Sequence, residues 1–509
     1  MPRTGPSKSN GLTISLDDFQ PTYQPGDVLI GRVTLSNAPL QSSSVRLKFF
    51  GRAKTKYTVK TSNGTSIERG RAGFFEVAQH LTTETVAADG SRSFPFSVTV
   101  PTSSQPNMSS RGDEFKHHSD YLSTLDVAKK TVDVTKHPLP SVMYYHAKSE
   151  MSGKTSEAYV EYGLHASVAG KEATLPIFIR QKSSAVPILD HHMMYRSILQ
   201  TLQTPRLLAE HADKELTFRQ KSSRFFKRSK TPKYVFQVRI ETPSTVQLEH
   251  PNAVPIKIGI VPDLHSTRTT ISLDALPPVY LSQFKLQLEL CVDIRCPGTF
   301  WDSENDKHHD IDIPILFPQR MLIPTLAPEG DGKPLTSSWG LQAVPTTTTA
   351  NGLSPQVTTN GPADARTTRS ASFASQATTL PPLPSLATSS NTPLDIGNTL
   401  SIFIGTSACT TRHSKPHPFK RQLYPSFKTY NIHLYYKLKW KATISCAGEV
   451  EELSGTSPLT ILAPSEQQEE QKMRELGIEG MKKNYDDLMA GLESGFSILE
   501  GILQVVGSV

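Results

Sequence analysis

Apolar and polar side chains alternate along most of the first 180 residues of the chain. Leu12, Ile14 and Leu16 are separated by polar neighbours, and Pro25-Gly26-Asp27 supplies a turn before a strand at 28–35. Val45, Leu47 and Phe49 share one face while Arg46 and Lys48 take the other. After Gly51 that strand stays basic through Arg52, Lys54 and Lys56. Further strands are predicted at 74–86, 93–100, 160–168 and 174–180. A period of two with one apolar face is what half-buried strands of an antiparallel sandwich require. Residues 1–181 therefore read as one all-β domain.

Residues 182–232 break the pattern and read as a linker, with a weakly amphipathic stretch at 191–208 that suggests a short helix. A basic run at 224–230 fits a solvated linker, or a phosphate, membrane or nuclear-import contact. Alternation returns over 233–321, with Tyr234, Phe236, Val238 and Ile240 in phase, then Phe284, Leu286, Leu288, Leu290 and Val292. From 322 to 398 the composition shifts to Thr, Ser, Pro, Ala and Gly. Such a stretch cannot bury enough apolar surface to offset its chain entropy, so it reads as a disordered insertion. Strands resume over 399–464, where Ile432, Leu434, Tyr436, Leu438, Trp440 and Ala442 line one face. The insertion thus lies inside a second β domain. Residues 465–509 read as a helical tail, because Leu488, Leu492, Phe496, Leu499 and Leu503 recur at near-helical spacing. That tail would pack on its own domain, or meet a membrane surface or a partner.

Composition narrows the classes. A length of 509 residues with 38 prolines and 30 glycines suits two domains with linkers. The formal net charge of +7 favours acidic surfaces in general, and it is too dispersed for a nucleic-acid binder. The four cysteines, Cys291, Cys296, Cys409 and Cys446, are too few for a disulfide framework and point to a reducing compartment. No secretory signal or membrane span is expected from the polar start and the absence of long apolar runs.

Enzyme signatures fail on inspection. Ser152-Gly153-Lys154-Thr155 ends like a phosphate loop, but Lys148 stands where its first glycine belongs. Asp302, Glu304 and Asp306 begin like a calcium loop, but Lys307 and Ile313 replace its turn glycine and last glutamate. The pairs His191-His192 and His308-His309 suggest adventitious metal at most. The expectation is a non-enzyme with no catalytic residues, no cofactor and no dedicated metal.

Ile14-Ser-Leu-Asp-Asp-Phe19, Tyr23-Gln-Pro-Gly-Asp-Val28 with Gly31-Arg-Val-Thr-Leu35, and Val45-Arg-Leu-Lys-Phe-Phe-Gly-Arg-Ala-Lys54 look like the opening of an arrestin N-domain. Phe94-Pro-Phe-Ser-Val98 before Pro101, and Leu139-Pro140-Ser141 before the 160–168 strand, are similar to later family segments. The fungal α-arrestin group is the nearest type, whereas the second half resembles an arrestin C-domain only in size, patterning and position. The resemblance implies two antiparallel immunoglobulin-like β-sandwiches. It also implies an adaptor that couples membrane cargo to ubiquitylation and endocytic trafficking, located in the cytoplasm and recruited to plasma membrane or endosomes. The implied partners are tails of membrane transporters or receptors and a HECT-type ubiquitin ligase with WW domains, with an acidic membrane surface as a further contact. A retromer-like or coat-like scaffold without a ligase link is the alternative.

Two candidate sites follow. Pro277-Pro278-Val279-Tyr280 matches the PPxY pattern that WW domains take as a polyproline II turn plus a tyrosine ring. Its place just before the 284–292 strand favours a structural turn, with a WW dock as the other reading. The second candidate is a basic surface for phosphates or acidic cargo. It comprises Arg46, Lys48, Arg52, Lys54 and Lys56 on one strand and Lys437, Lys439 and Lys441 on another, where i, i+2 spacing gathers cations on one face.

Overall fold

The computed structural model describes residues 7–8, 11–105, 138–208, 231–326, 392–475 and 477, apart from short breaks within those ranges. It is almost entirely antiparallel β-sheet, as the alternation predicts. The N-terminal sandwich contains β1 (Leu12–Leu16), β2 (Val28–Leu35), β3 (Val45–Thr61), β4 (Gly64–Leu81), β5 (Arg92–Thr99), β6 (Met143–Lys148), β7 (Lys154–Val168) and β8 (Lys171–Ile177). One sheet runs β8-β7-β3-β4, with Ser7–Lys8 on β8 and β6 on β7; the other runs β1-β2-β5 and ends on Thr85–Val86. Inward residues of the two sheets, among them Leu29, Val33, Leu47, Phe49, Phe94, Val160 and Leu164, form the core.

Local chemistry explains the exceptions to simple packing. Tyr162 is buried, and its hydroxyl donates to the Pro140 carbonyl at 2.7 Å, so the ring pins the 139–141 segment to β7. Residue 51 has no side chain because an added Cβ would lie 2.6 Å from the Tyr162 ring. At that point the β3–β4 register slips between Gly51 and Arg52, as a β-bulge does.

The C-terminal sandwich contains β9 (Met193–Gln203), β10 (Lys233–Pro243), β11 (Lys257–Pro262), β12 (Val279–Pro297), β13 (Asp302–Ile313), β14 (Ile432–Cys446) and β15 (Glu449–Leu462). Its smaller sheet runs β9-β10-β11 and ends on Leu394–Asp395; the larger runs β15-β14-β12-β13, flanked by Thr245–Gln247 on β15. A small third sheet joins Phe403–Ile404, Ala408–Thr410 and His417–Pro418.

Two sequence expectations are corrected. The 191–208 stretch is not helical: Met193–Gln203 is a strand that pairs with β10 along its length, so the second sandwich begins inside the expected linker. Pairing with a neighbouring strand outweighs weak amphipathicity. The insertion is narrower than 322–398, since Ile323 and Ile396 are both buried at its edges. In the tail, residues 466–475 are helical. Ser465 and Gln468 form a reciprocal capping box, with Ser465 N–H donating to Gln468 Oε1 at 2.7 Å and Gln468 N–H to Ser465 Oγ at 3.3 Å. The remaining tail, the 224–230 basic run and residues 327–390 lie outside the described residues. Among the described residues, no helix is long and apolar enough to cross a membrane.

Candidate functional site

The basic strand of the N-terminal sandwich does not present free cations. Adjacent strands place carboxylates beside it: Lys48 pairs with Glu76 at 3.1 Å, Lys56 with Glu157 at 3.4 Å, and Arg52 with Glu161 at 2.6 Å. Lys54 is buried, and its ammonium lies 2.5 Å from the same Glu161 carboxylate. Arg46 is half-buried on the same strand. Burial pushes the Lys54 ammonium down to about 8, against the attraction of Glu161 and with the help of the Arg52 and Arg71 charges. Two cations on one carboxylate in a nearly dry setting form a structural cluster, since breaking it would strand a buried charge.

The lysines of β14 are similarly interleaved with acids. Lys437 reaches Glu289 at 3.5 Å, Lys439 reaches Glu289 at 3.2 Å and Asp310 at 2.8 Å, and Lys441 reaches Glu452 at 3.2 Å. The hydrogen bond to Asp310 holds the Lys439 ammonium above its ordinary range. Beside Lys439 and Lys441 lies a groove of about 570 Å³, completed by Lys285, Gln287, Ser454 and Thr456. A phosphate entering there would meet three ammonium groups and two hydroxyls, in competition with the resident carboxylates.

Pro277 and Pro278 precede β12, and Tyr280 is its second residue. Tyr280 pairs with Ser445 on one side and Leu322 on the other, and the Arg320 guanidinium sits 4.0 Å over its ring. Val279 is buried. The motif is thus half turn and half strand, and the tyrosine ring is covered by a cation.

A third feature was not visible in the sequence. The two sandwiches meet through a polar joint in which side chains of one grip the backbone of the other. Thr55 Oγ1 donates to the Arg295 carbonyl at 2.7 Å, and buried Asn431 donates to the Ala53 carbonyl at 3.4 Å. Arg421 Nη1 donates to the His146 carbonyl at 2.7 Å, and Tyr145 Oη meets His309 Nε2 at 2.6 Å. Such bonds are directional, so they set the angle between the sandwiches as well as their contact. The tail helix adds Glu469 to Arg180 at 3.4 Å.

Residues 12–119 match the arrestin (or S-antigen) N-terminal domain family. Over 97 residues the chain is 35% identical to the pH-response regulator protein palF/RIM8 of Candida glabrata. That alignment spans 18% of this chain and 15% of the relative. The matched residues hold the opening strands of the N-terminal sandwich, where the arrestin-like segments were read. The first part of the chain is therefore similar to an arrestin N-terminal domain, within an architecture that is almost entirely β-sheet.

Proposed function

We propose that the protein is an adaptor that holds the tail of a membrane transporter or receptor and couples it to ubiquitylation and endocytic trafficking. The match of residues 12–119 to the arrestin N-terminal domain supports an adaptor of arrestin type. The observation that supports the finer reading is the build of the molecule: two sandwiches in fixed orientation, with long strands whose outer faces carry paired charges. Exposed strands and loops of this kind suit peptides better than small substrates. Cargo carrying acidic or phosphorylated residues would exchange with the carboxylates beside Lys437, Lys439 and Lys441. The ligase would enter through Pro277-Pro278-Val279-Tyr280 once the strand end at Tyr280 opens from Ser445 and Leu322. Proximity labelling in the native cell tests the reading. Enrichment of transporters or receptors together with a WW-domain ligase supports it, and coat or retromer components without a ligase would favour the scaffold alternative.

The name of the palF/RIM8 relative favours a second reading, regulation of a pH response. Deletion of the chain would then change growth when the pH of the medium is shifted, whereas a general cargo adaptor would show transporter retention independent of pH.

A further inference from the structure

One outer face of the C-terminal sandwich gathers a thiol and an imidazole beside Glu289, the carboxylate that also pairs with Lys437 and Lys439. Cys291 on β12 is the direct cross-strand partner of His308 on β13, and Glu289 lies two residues earlier on the same face of β12. Directly opposed residues of an antiparallel pair bring their side chains together. Here the Cys291 Sγ is 3.2 Å from His308 Nδ1, and that nitrogen is 3.3 Å from Glu289 Oε1. The three ligand atoms all lie within 4.8 Å of one another.

We infer that Glu289, Cys291 and His308 form a three-ligand site for zinc. Zinc bonds of ~2.0–2.3 Å at a tetrahedral angle place neighbouring ligand atoms roughly 3.3–3.6 Å apart, close to the two separations found here. A thiolate with an imidazole suits a borderline-soft dication, and it excludes magnesium and calcium, which take oxygen ligands. The charges also balance, because a thiolate and a carboxylate together neutralise a dication.

The surroundings support the assignment. Glu289 and Cys291 are buried, while the His308 side chain is 42% exposed, which leaves an entry path and an open fourth position on its side. Lys439 shares Glu289 Oε1 but is also held by Asp310 at 2.8 Å, so it keeps a partner when a cation takes that oxygen. Lys437 contacts the other oxygen, Oε2, and would orient the carboxylate from behind. Tyr435 is the cross-strand partner of Cys291 on β14. Asp293, paired with His433 at 3.3 Å, adds negative charge one step further along β12. Burial pushes the Cys291 thiol up to about 11, so the sulfur carries its proton until a metal expels it. The site would bridge β12 to β13 on the face opposite the core.

The test uses the full-length chain, freed of metal by a chelator and titrated with Co²⁺ and then Zn²⁺. One equivalent of Co²⁺ should produce a thiolate-to-cobalt charge-transfer band that Zn²⁺ abolishes, with release of about one proton per metal. Apparent zinc affinity, read against a chromophoric chelator, should rise about tenfold per pH unit between roughly pH 7 and 9 as the thiol proton is lost more readily. Cys291→Ser should remove the band. His308→Gln, at a partly exposed position that tolerates change, should weaken binding at least tenfold with unaltered circular dichroism. Cys409→Ser and Cys446→Ser should bind as the parent does. Absence of stoichiometric binding would overturn the inference, as would binding without the charge-transfer band or binding undiminished in both site variants.

Discussion

Tyr145 of the N-terminal sandwich and His309 of the C-terminal sandwich share a hydrogen bond of 2.6 Å between Oη and Nε2, across the joint of the molecule. Burial pushes the Tyr145 phenol well above its ordinary range, so it stays protonated, and the His309 tautomer sets which of the two groups donates. The Arg421 guanidinium lies 5.4 Å from the centre of the same ring. Tyr145→Phe removes the hydroxyl and leaves the ring in place. The expected cost is about 1 kcal/mol, and a double-mutant cycle with His309→Gln should return a coupling of similar size. Hydrogen exchange should quicken in Met143–Lys148 and Asp302–Ile313 together. Unchanged exchange in either strand would mean the bond does not hold the joint.

Lys54 supplies a pH dependence with a definite sign. Its ammonium titrates at about 8 in the folded protein against 10.5 as the reference value, because burial disfavours the charge. Between those values the unfolded chain holds a proton that the folded chain has released, so this residue makes stability rise with pH across that window. The gain is of order 1–3 kcal/mol, and below the folded value the burial cost is constant. Lys54→Met, of similar length and without charge, should be neutral or stabilising by about 1–3 kcal/mol near pH 7. Denaturant unfolding of parent and variant from pH 7 to 10.5 should show their difference shrinking toward high pH. A constant difference would show that Lys54 does not titrate there.

Glu161 behaves in the opposite way. It is the shared partner of Arg52 and Lys54, so Glu161→Gln removes a carboxylate that two cations beside the core hold in common. The expected loss is roughly 3–5 kcal/mol. The double variant Glu161→Gln with Lys54→Met should recover more than half of it. Thermal unfolding of the three proteins measures both effects.

For the Pro277-Pro278-Val279-Tyr280 motif, the folded chain should bind WW domains poorly. Tyr280 is paired on both sides and capped by Arg320, and a WW groove would have to detach it from β14 and from Met321–Leu322. A free peptide spanning 274–283 should bind at least about tenfold more tightly than the full-length chain, a difference of ~1.4 kcal/mol for the local opening. Equal affinities by calorimetry would show that the strand end opens without cost.

Much of this architecture was legible in the residues. Val45, Leu47 and Phe49, or Leu434, Tyr436 and Leu438, carry an unbroken period of two, and both runs form strands whose apolar side chains are buried. Met193–Gln203 was misread because an edge strand with Tyr195 and Leu199 exposed has no clean alternation. The charge partners were hidden for a different reason. Lys54 and Glu161 are 107 positions apart, and only the β3–β7 register brings them together. Cys291 and His308 likewise meet only through the β12–β13 pairing, and Tyr145 and His309 only when one sandwich packs on the other. Periodicity reveals which face a residue takes, whereas register and packing decide what it touches.

The ends of the long insertion return to the same short strand. Leu326 N–H bonds the Ile260 carbonyl at 2.7 Å, and Asp395 pairs with Lys257, so departure and re-entry are three residues apart on β11. A chain that leaves and rejoins a sheet at one place works as a socket. Segments of quite different length can be fitted there with no strand displaced, and the closure penalty changes by only about 0.6 kcal/mol per doubling of length. New short recognition motifs can therefore be gained or lost at this position while the sandwiches that carry them stay as they are.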